Sequence, residues 1–200
     1  MVVMAGTAAE AEATLAPPVL PLGKWTHEAI DALPDDGLRR ELLDGVLLVT
    51  PSPATGHQRA VVRLIKILDA ACPPGYEAFV APFDWRPDET TSLEPDVLVV
   101  PQPALTDKNV VGTPAVVIEV LSPGTARIDR TAKMSRYFDG GIAQYWLVDP
   151  GDAKRPAAIE VFERTDDGYR LHASGSGEDE VTIRGIVTVT LRPADLLRPR

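Results

Sequence analysis

The sequence predicts a mixed-sheet α/β (α+β) domain, with helices flanking a central sheet. Two observations lead there. Two segments, near 57–70 and 129–139, read as helices, the first with apolar residues recurring at helical spacing. Between and after them lie short β-branched runs bounded by Gly, Pro and Asp, which read as strands. The expected order is helix, hairpin, helix, three strands, helix, strand and a closing β-meander.

The elements follow in turn. Thr26 is a good N-cap, and Ala29, Ile30 and Leu33 make a short apolar face before Pro34. "RRELLDGVLLVT" predicts a hairpin, with Asp44-Gly45 as the two-residue turn between Glu41–Leu43 and Val46–Thr50. "HQRAVVRLIKILDA" is the clearest helix, with Val61, Leu64, Ile65 and Leu68 on one face. Strands are expected at Glu77–Asp84, at Asp96–Val100 and in "AVVIEVLSP". A second helix is expected from about Asp129 to Asp139, stopped by Gly140-Gly141. "AQYWLVDP" gives another strand. "AAIEVFER" and "GYRLHAS" form a hairpin around Asp166-Asp167-Gly168, "GSGEDE" a flexible loop, and "VTVTLRP" the last strand.

Composition limits the function classes. Residues 1–22 read as a disordered leader, because "MVVMAGTAAEAEATLAPP" carries Glu10 and Glu12 and lacks a basic start; 23–200 read as one domain. No apolar run reaches the ~20 residues that span a bilayer, so no membrane association is expected. Cys72 is the only cysteine, which excludes an internal disulfide and a cysteine-based zinc site. The cytoplasm is the expected compartment. A net charge of −9 argues against a lone monomer gripping duplex nucleic acid non-specifically.

Acidic residues at strand ends carry the chemistry. Alternation puts Asp96, Leu98 and Val100 on one face of their strand, and Val117 with Glu119 on one face of theirs. If the two strands are neighbours, Asp96 and Glu119 come within reach of one cation. Two carboxylates alone would repel, and oxygen ligands suit Mg²⁺ or Mn²⁺. Each residue also has an ordinary explanation: a turn or cap for Asp96, a basic partner for Glu119.

Three stretches carry a resemblance: "RRELLDGVLLVTPSPATGHQ", "EPDVLVV" and "VVIEVLSPGTARIDRTAKMSRYFDGGIAQYWLVDP". They resemble, in the same order, the Uma-two family of restriction-endonuclease-like proteins within the PD-(D/E)xK nuclease superfamily. The resemblance covers roughly Thr26 to Val161. It implies a restriction-endonuclease-like core and a metal-dependent endonuclease acting on nucleic acid, DNA before RNA. Pro95-Asp96 matches the superfamily's PD, and Glu119 its second acid. The lysine usually found two residues later is replaced by Leu121; in this family it comes from the following helix, at Lys133. Glu41 matches an additional acid and His57 a recurring histidine. The implied metal set is Asp96, Glu119, the Val120 carbonyl and Glu41, holding Mg²⁺ or Mn²⁺. Lys133 would position or activate the attacking water, and Arg130 would reach a substrate phosphate. Gln144 stands where the family often has a glutamate.

Alternatives accompany several of these residues. Lys133 lies four residues after Asp129, the spacing of an ordinary helix ion pair. Glu41 has Arg39 as a same-face partner, and His57 opens a helix. Arg59, Arg63 and Lys66 form a stripe that tracks phosphates or simply faces solvent, and Arg127, Arg130 and Arg136 crowd the same region as Lys133. Tyr145 and Trp146 fit core packing better than base stacking. Cutting both strands of a duplex calls for two sites, hence a homodimer. A non-catalytic relative using the same sheet for binding or assembly is the main alternative. A domain for small phosphorylated substrates is disfavoured, because no phosphate-cradling Gly-rich loop is present.

Overall fold

The computed structural model describes residues 25–50 and 52–198, so the leader expected at 1–22 lies outside the described residues. The chain opens with α1 (His27–Asp31), whose N-cap Thr26 accepts the Ala29 N–H through its hydroxyl at 3.3 Å. Strands β1 (Arg39–Leu43) and β2 (Val46–Thr50) pair antiparallel. Their turn places Asp44 at φ 50° and Gly45 at φ 83°, the left-handed pair that a two-residue hairpin needs. Helix α2 (Thr55–Ala71) buries Ala60, Leu64 and Leu68.

The central sheet has six strands. In spatial order they are β10 (Gly168–Ser176), β9 (Ala158–Thr165), β8 (Gln144–Asp149), β7 (Val116–Val120), β6 (Val97–Pro101) and β3 (Tyr76–Val80). Only β7 and β8 run parallel; the remaining pairs are antiparallel. Parallel neighbours require a crossover. Here it is one helical stretch: α3 (Ala126–Ile128), a π-helical turn (Asp129–Lys133) and α4 (Met134–Asp139). Helix α2 covers one face of the sheet through Val97, Val99, Val116, Ile118 and Trp146. On the other face the crossover and a second sheet pack on Leu98, Val117, Tyr145 and Leu147. The mixed sheet with flanking helices is therefore the observed architecture; β9 and β10 form the expected hairpin of the closing meander, but the expected last strand does not join it and lies in a separate two-stranded sheet.

Three local expectations are corrected. "YEAFVAPFDWRP" is not one strand: β3 stops at Val80, before Pro82, which has no N–H to give a ladder. The chain then starts β4 (Trp85–Asp88), which turns back as β5 (Thr91–Leu93). These join β1 and β2 in a four-stranded sheet of order β2-β1-β5-β4. The second helix begins at Ala126 rather than Asp129 and widens to π geometry before Met134. The "GSGEDE" loop is shorter than expected, because β10 runs through Ser176; β11 (Val181–Ile183) follows and pairs with β12 (Val189–Leu191).

Arg136 ties the four-stranded sheet to the crossover. Its guanidinium pairs with Asp44 at 3.1 Å and with Asp88, donates to the Thr91 hydroxyl at 3.1 Å, and lies 5.5 Å from the Trp85 ring centre. Gly140, one turn on, touches Trp85 so closely that a Cβ would fall 2.4 Å from the ring. Asp44 and Asp88 are substantially exposed, so each ion pair contributes little; with the cation–π contact the sum is about 1–2 kcal/mol. Arg136→Ala is expected to lower the unfolding free energy by that amount, read as a lower urea midpoint at unchanged slope. An unchanged midpoint would refute the clamp.

Candidate active site

Strand β6 is the starting point. Val97 pairs with Ile118, so Asp96, one residue earlier, lies beside the end of β7. There its Oδ2 accepts the Val120 N–H at 2.8 Å. Glu119 projects from β7 toward the crossover, on the sheet face shared by Leu98 and Val117. Lys133 descends from the π turn and places Nζ 2.9 Å from Glu119 Oε1 and 2.9 and 3.1 Å from the two Glu41 oxygens. Glu41 comes from β1, and its Oε1 also accepts the Glu94 N–H at 2.9 Å. His57, in the first turn of α2, sets Nε2 3.1 Å from Asp96 Oδ2. Five elements thus deliver side chains to one cavity of about 250 Å³, lined among others by Glu41, His57, Asp96, Glu119, Val120 and Lys133.

Burial controls the electrostatics. Glu41, Asp96, Glu119, Asp129 and Lys133 are each at most 4% exposed. Burial pushes the Glu119 carboxyl up to about 8, although Lys133 pulls the other way. Burial also works against the Lys133 ammonium, yet Glu119, Glu41 and Asp129 more than offset it and hold it well above its ordinary range. Asp96 is pressed upward by burial, but the His57 hydrogen bond and charge, with Arg39, keep it below the usual carboxylate range. Burial raises Glu94 to about 7 despite Arg39. The Tyr137 phenol, fully buried and beside Glu119, is held far above its normal value, so it stays a donor; its hydroxyl donates to Glu119 Oε1 at 2.7 Å.

Lys133 lies 3.7 Å from Asp129, beyond hydrogen-bonding range, and much closer to the two glutamates. Arg39 approaches Glu41 only to 4.0 Å; its main partners are Glu94 and, at 3.4 Å, Asp96. Arg130 stands apart. It pairs with Glu160 at 2.5 Å and opens on a neighbouring cleft of about 560 Å³ that shares His57, Ser122 and Pro123 with the acid cavity. Arg59 and Lys66 are exposed on α2, and Arg63 reaches the Arg198 carbonyl. Tyr145 and Trp146 are core residues. Gln144 is buried, and its amide donates to the Arg184 carbonyl at 2.7 Å.

Asp129 and Tyr137 escaped the sequence reading as site residues; they flank the expected Lys133 at four-residue spacing, and all three are buried toward Glu119. That stripe is visible in the sequence once the helix is known to face the acid. Arg39 shares the face of Glu41 two residues on, the strand period.

The cavity suits a hard divalent cation by its donors. Four carboxylates, Glu41, Asp96, Glu119 and Asp129, face one guanidinium and one ammonium, Arg39 and Lys133. The surplus is negative, and carboxylate oxygens are the ligands Mg²⁺ and Mn²⁺ prefer. Among the described residues no three His, Cys, Asp or Glu side chains are placed so that together they could hold a metal ion as they stand. Lys133 occupies the middle of the cluster instead.

A mixed sheet with its acids at the paired ends of β6 and β7, and a lysine entering from the crossover, defines a restriction-endonuclease-like fold. The chain belongs to the Uma2 family, described as "Putative restriction endonuclease", whose profile matches residues 27–194. It is also similar to a solved structure from Anabaena variabilis, described as a putative nuclease belonging to DUF820. The TM-score is 0.67 at 18% identity, with 86% of this chain and 97% of that chain covered. At that identity the likeness is one of fold. No curated protein matches the chain. No helix among the described residues is long and apolar enough to cross a membrane.

Proposed function

We propose that the protein is a metal-dependent endonuclease that hydrolyses phosphodiester bonds in nucleic acid, DNA in preference to RNA. The convergence of Asp96, Glu119 and Lys133 on one cavity carries this reading. Asp96, Glu119, the Val120 carbonyl and Glu41 would hold Mg²⁺ or Mn²⁺. When bound, such an ion supplies Lewis-acid polarisation of the scissile phosphate and acidifies a water.

The chain's own residues have separate tasks. Tyr137 and Lys133 both donate to Glu119 Oε1, which fixes that carboxylate's orientation. Lys133, shared with Glu41, stays protonated and brings positive charge to where the phosphate accumulates negative charge. His57 and the Val120 N–H hold Asp96 in place. Arg130 lines the adjoining cleft, where the neighbouring phosphate of the substrate would pass. The deciding assay incubates the protein with single- and double-stranded DNA and RNA in Mg²⁺ or Mn²⁺, beside Asp96→Ala. Equal cleavage by both proteins would mean contamination, and no cleavage of any substrate would sink the reading.

Cutting both strands needs two such cavities, so a homodimer is part of the proposal. Light scattering should give the mass of two chains; a monomer would restrict the activity to single strands or nicks. One observation favours a second reading, a non-catalytic binding or assembly module. Lys133 already neutralises Glu41 and Glu119, so the cluster is satisfied without catalysis. The same assay separates the two.

A further inference from the structure

Asp129 is the buried group that the chemistry above leaves unused. Its side chain is 2% exposed and lines the acid cavity; Thr125 hydrogen-bonds the carboxyl, but Oδ1 has no partner in hydrogen-bonding geometry. Lys133 Nζ is the nearest cation, at 3.7 Å, and its short contacts go to Glu41 and Glu119. An unpaired buried carboxylate oxygen carries a desolvation penalty that an exposed, hydrated one does not, and such groups are rare without an occupant or a function. Its location narrows the occupant. The backbone carbonyl of Asp129 accepts the Tyr145 hydroxyl at 2.9 Å, which anchors the π turn to the sheet. That turn places Asp129 and Lys133 on the same inward side, although the residues between them, Arg130 to Ala132, are exposed. Glu41, Glu119 and Asp129 each set an oxygen within 3.7 Å of one ammonium. A donor group could satisfy Oδ1 alone, but a divalent cation also answers the negative surplus of the whole cavity.

We propose that Asp129 is a further cation ligand of this site, contributing Oδ1 to a hard divalent ion that it shares with Glu119. The assignment rests on the metal-dependent reading above. It adds an acid from the crossover to those supplied by β1, β6 and β7. The π turn thereby acquires a purpose: it delivers a carboxylate and an ammonium from one helix to the same cavity. Burial, which holds the Asp129 carboxyl above its usual range, is the penalty that a bound cation would remove.

The test is Mn²⁺ binding by calorimetry, with thermal melting in the presence and absence of Mn²⁺. It compares the full-length wild type, Asp129→Asn and Asp96→Ala. Asp129→Asn keeps the side chain's shape and removes its charge, while Lys133 keeps Glu41 and Glu119. The cation-free variant should melt no lower than wild type, bind Mn²⁺ at least tenfold more weakly, and show a smaller Mn²⁺-induced rise in Tm. A drop in the cation-free Tm with unchanged Mn²⁺ affinity would assign Asp129 a structural role and overturn the proposal. Equal affinity at equal Tm overturns it too, leaving the nuclease reading intact. Wild type that binds no Mn²⁺ overturns both. If Asp129→Asn does not fold, Asp129→Ala, read the same way, decides between the same outcomes.

Discussion

Asp96→Asn is expected to cut cleavage about a thousandfold while leaving the protein folded, since a metal ligand's contribution of several kcal/mol converts to that factor. Asn is the informative replacement. Asp96 Oδ2 accepts the Val120 N–H at 2.8 Å and lies 3.1 Å from His57 Nε2, and an amide oxygen with its two lone pairs can keep both contacts. Asp96→Ala removes the acceptor altogether and strands a buried N–H, a penalty of about 1–3 kcal/mol unrelated to catalysis. Melting curves run beside the cleavage assay separate the two effects. Full activity in Asp96→Asn would remove Asp96 from the metal set. Lost activity with a collapsed Tm would show only that the site holds β6 to β7.

The second large effect is on stability. Lys133→Met leaves Glu41 and Glu119 facing each other without the ammonium both now contact. Breaking a buried pair this way costs about 3–5 kcal/mol, a fall in Tm of roughly 10 °C for a domain this size. The loss should depend on pH, and its sign follows from Glu119. Its folded carboxyl titrates at about 8, above the ordinary value near 4.3 that an unfolded chain restores. The folded state therefore binds the proton more tightly. The stability this contributes is complete below about pH 4 and is lost as pH rises through about 8. Without Lys133 the carboxyl moves further up, because the main cation lowering it is gone. The Tm gap between wild type and Lys133→Met should thus be small at pH 5 and large at pH 9. A gap that is constant or larger in acid would mean that Lys133 is held by packing rather than as a counterion. Lys133→Met combined with Glu119→Gln should recover part of the loss at pH 9.

The two predictions draw on different sources of information. The PD at 95–96, the acid in "VVIEV" and the spacing of the following helix are local, and each could be marked along the chain before any contact was known. Strand alternation even placed Asp96 and Glu119 on compatible faces, because a period of two is a covalent property of extended backbone. The hairpin turn at Asp44-Gly45 and the long helix after Pro53 were legible for similar reasons. The break at Pro82 was legible in principle, but the strand that follows is held by partners from β5 and a second sheet. No window of a dozen residues contains that information.

What the sequence determined by itself is the inventory: which acids, which lysine, which helix and strands, and a chemistry of oxygen ligands with a cation. The tertiary structure decided how these pair. It gave Lys133 to Glu41 and Glu119 rather than to its helix neighbour Asp129, and left Asp129 Oδ1 without a donor. It turned Arg130 toward Glu160 and the adjoining cleft. It also brought Tyr137 to Glu119 as a second donor. The physical reason is distance along the chain. A contact such as Lys133 to Glu41 joins residues 92 positions apart, and its energy depends on burial that only the packed sheets and crossover create.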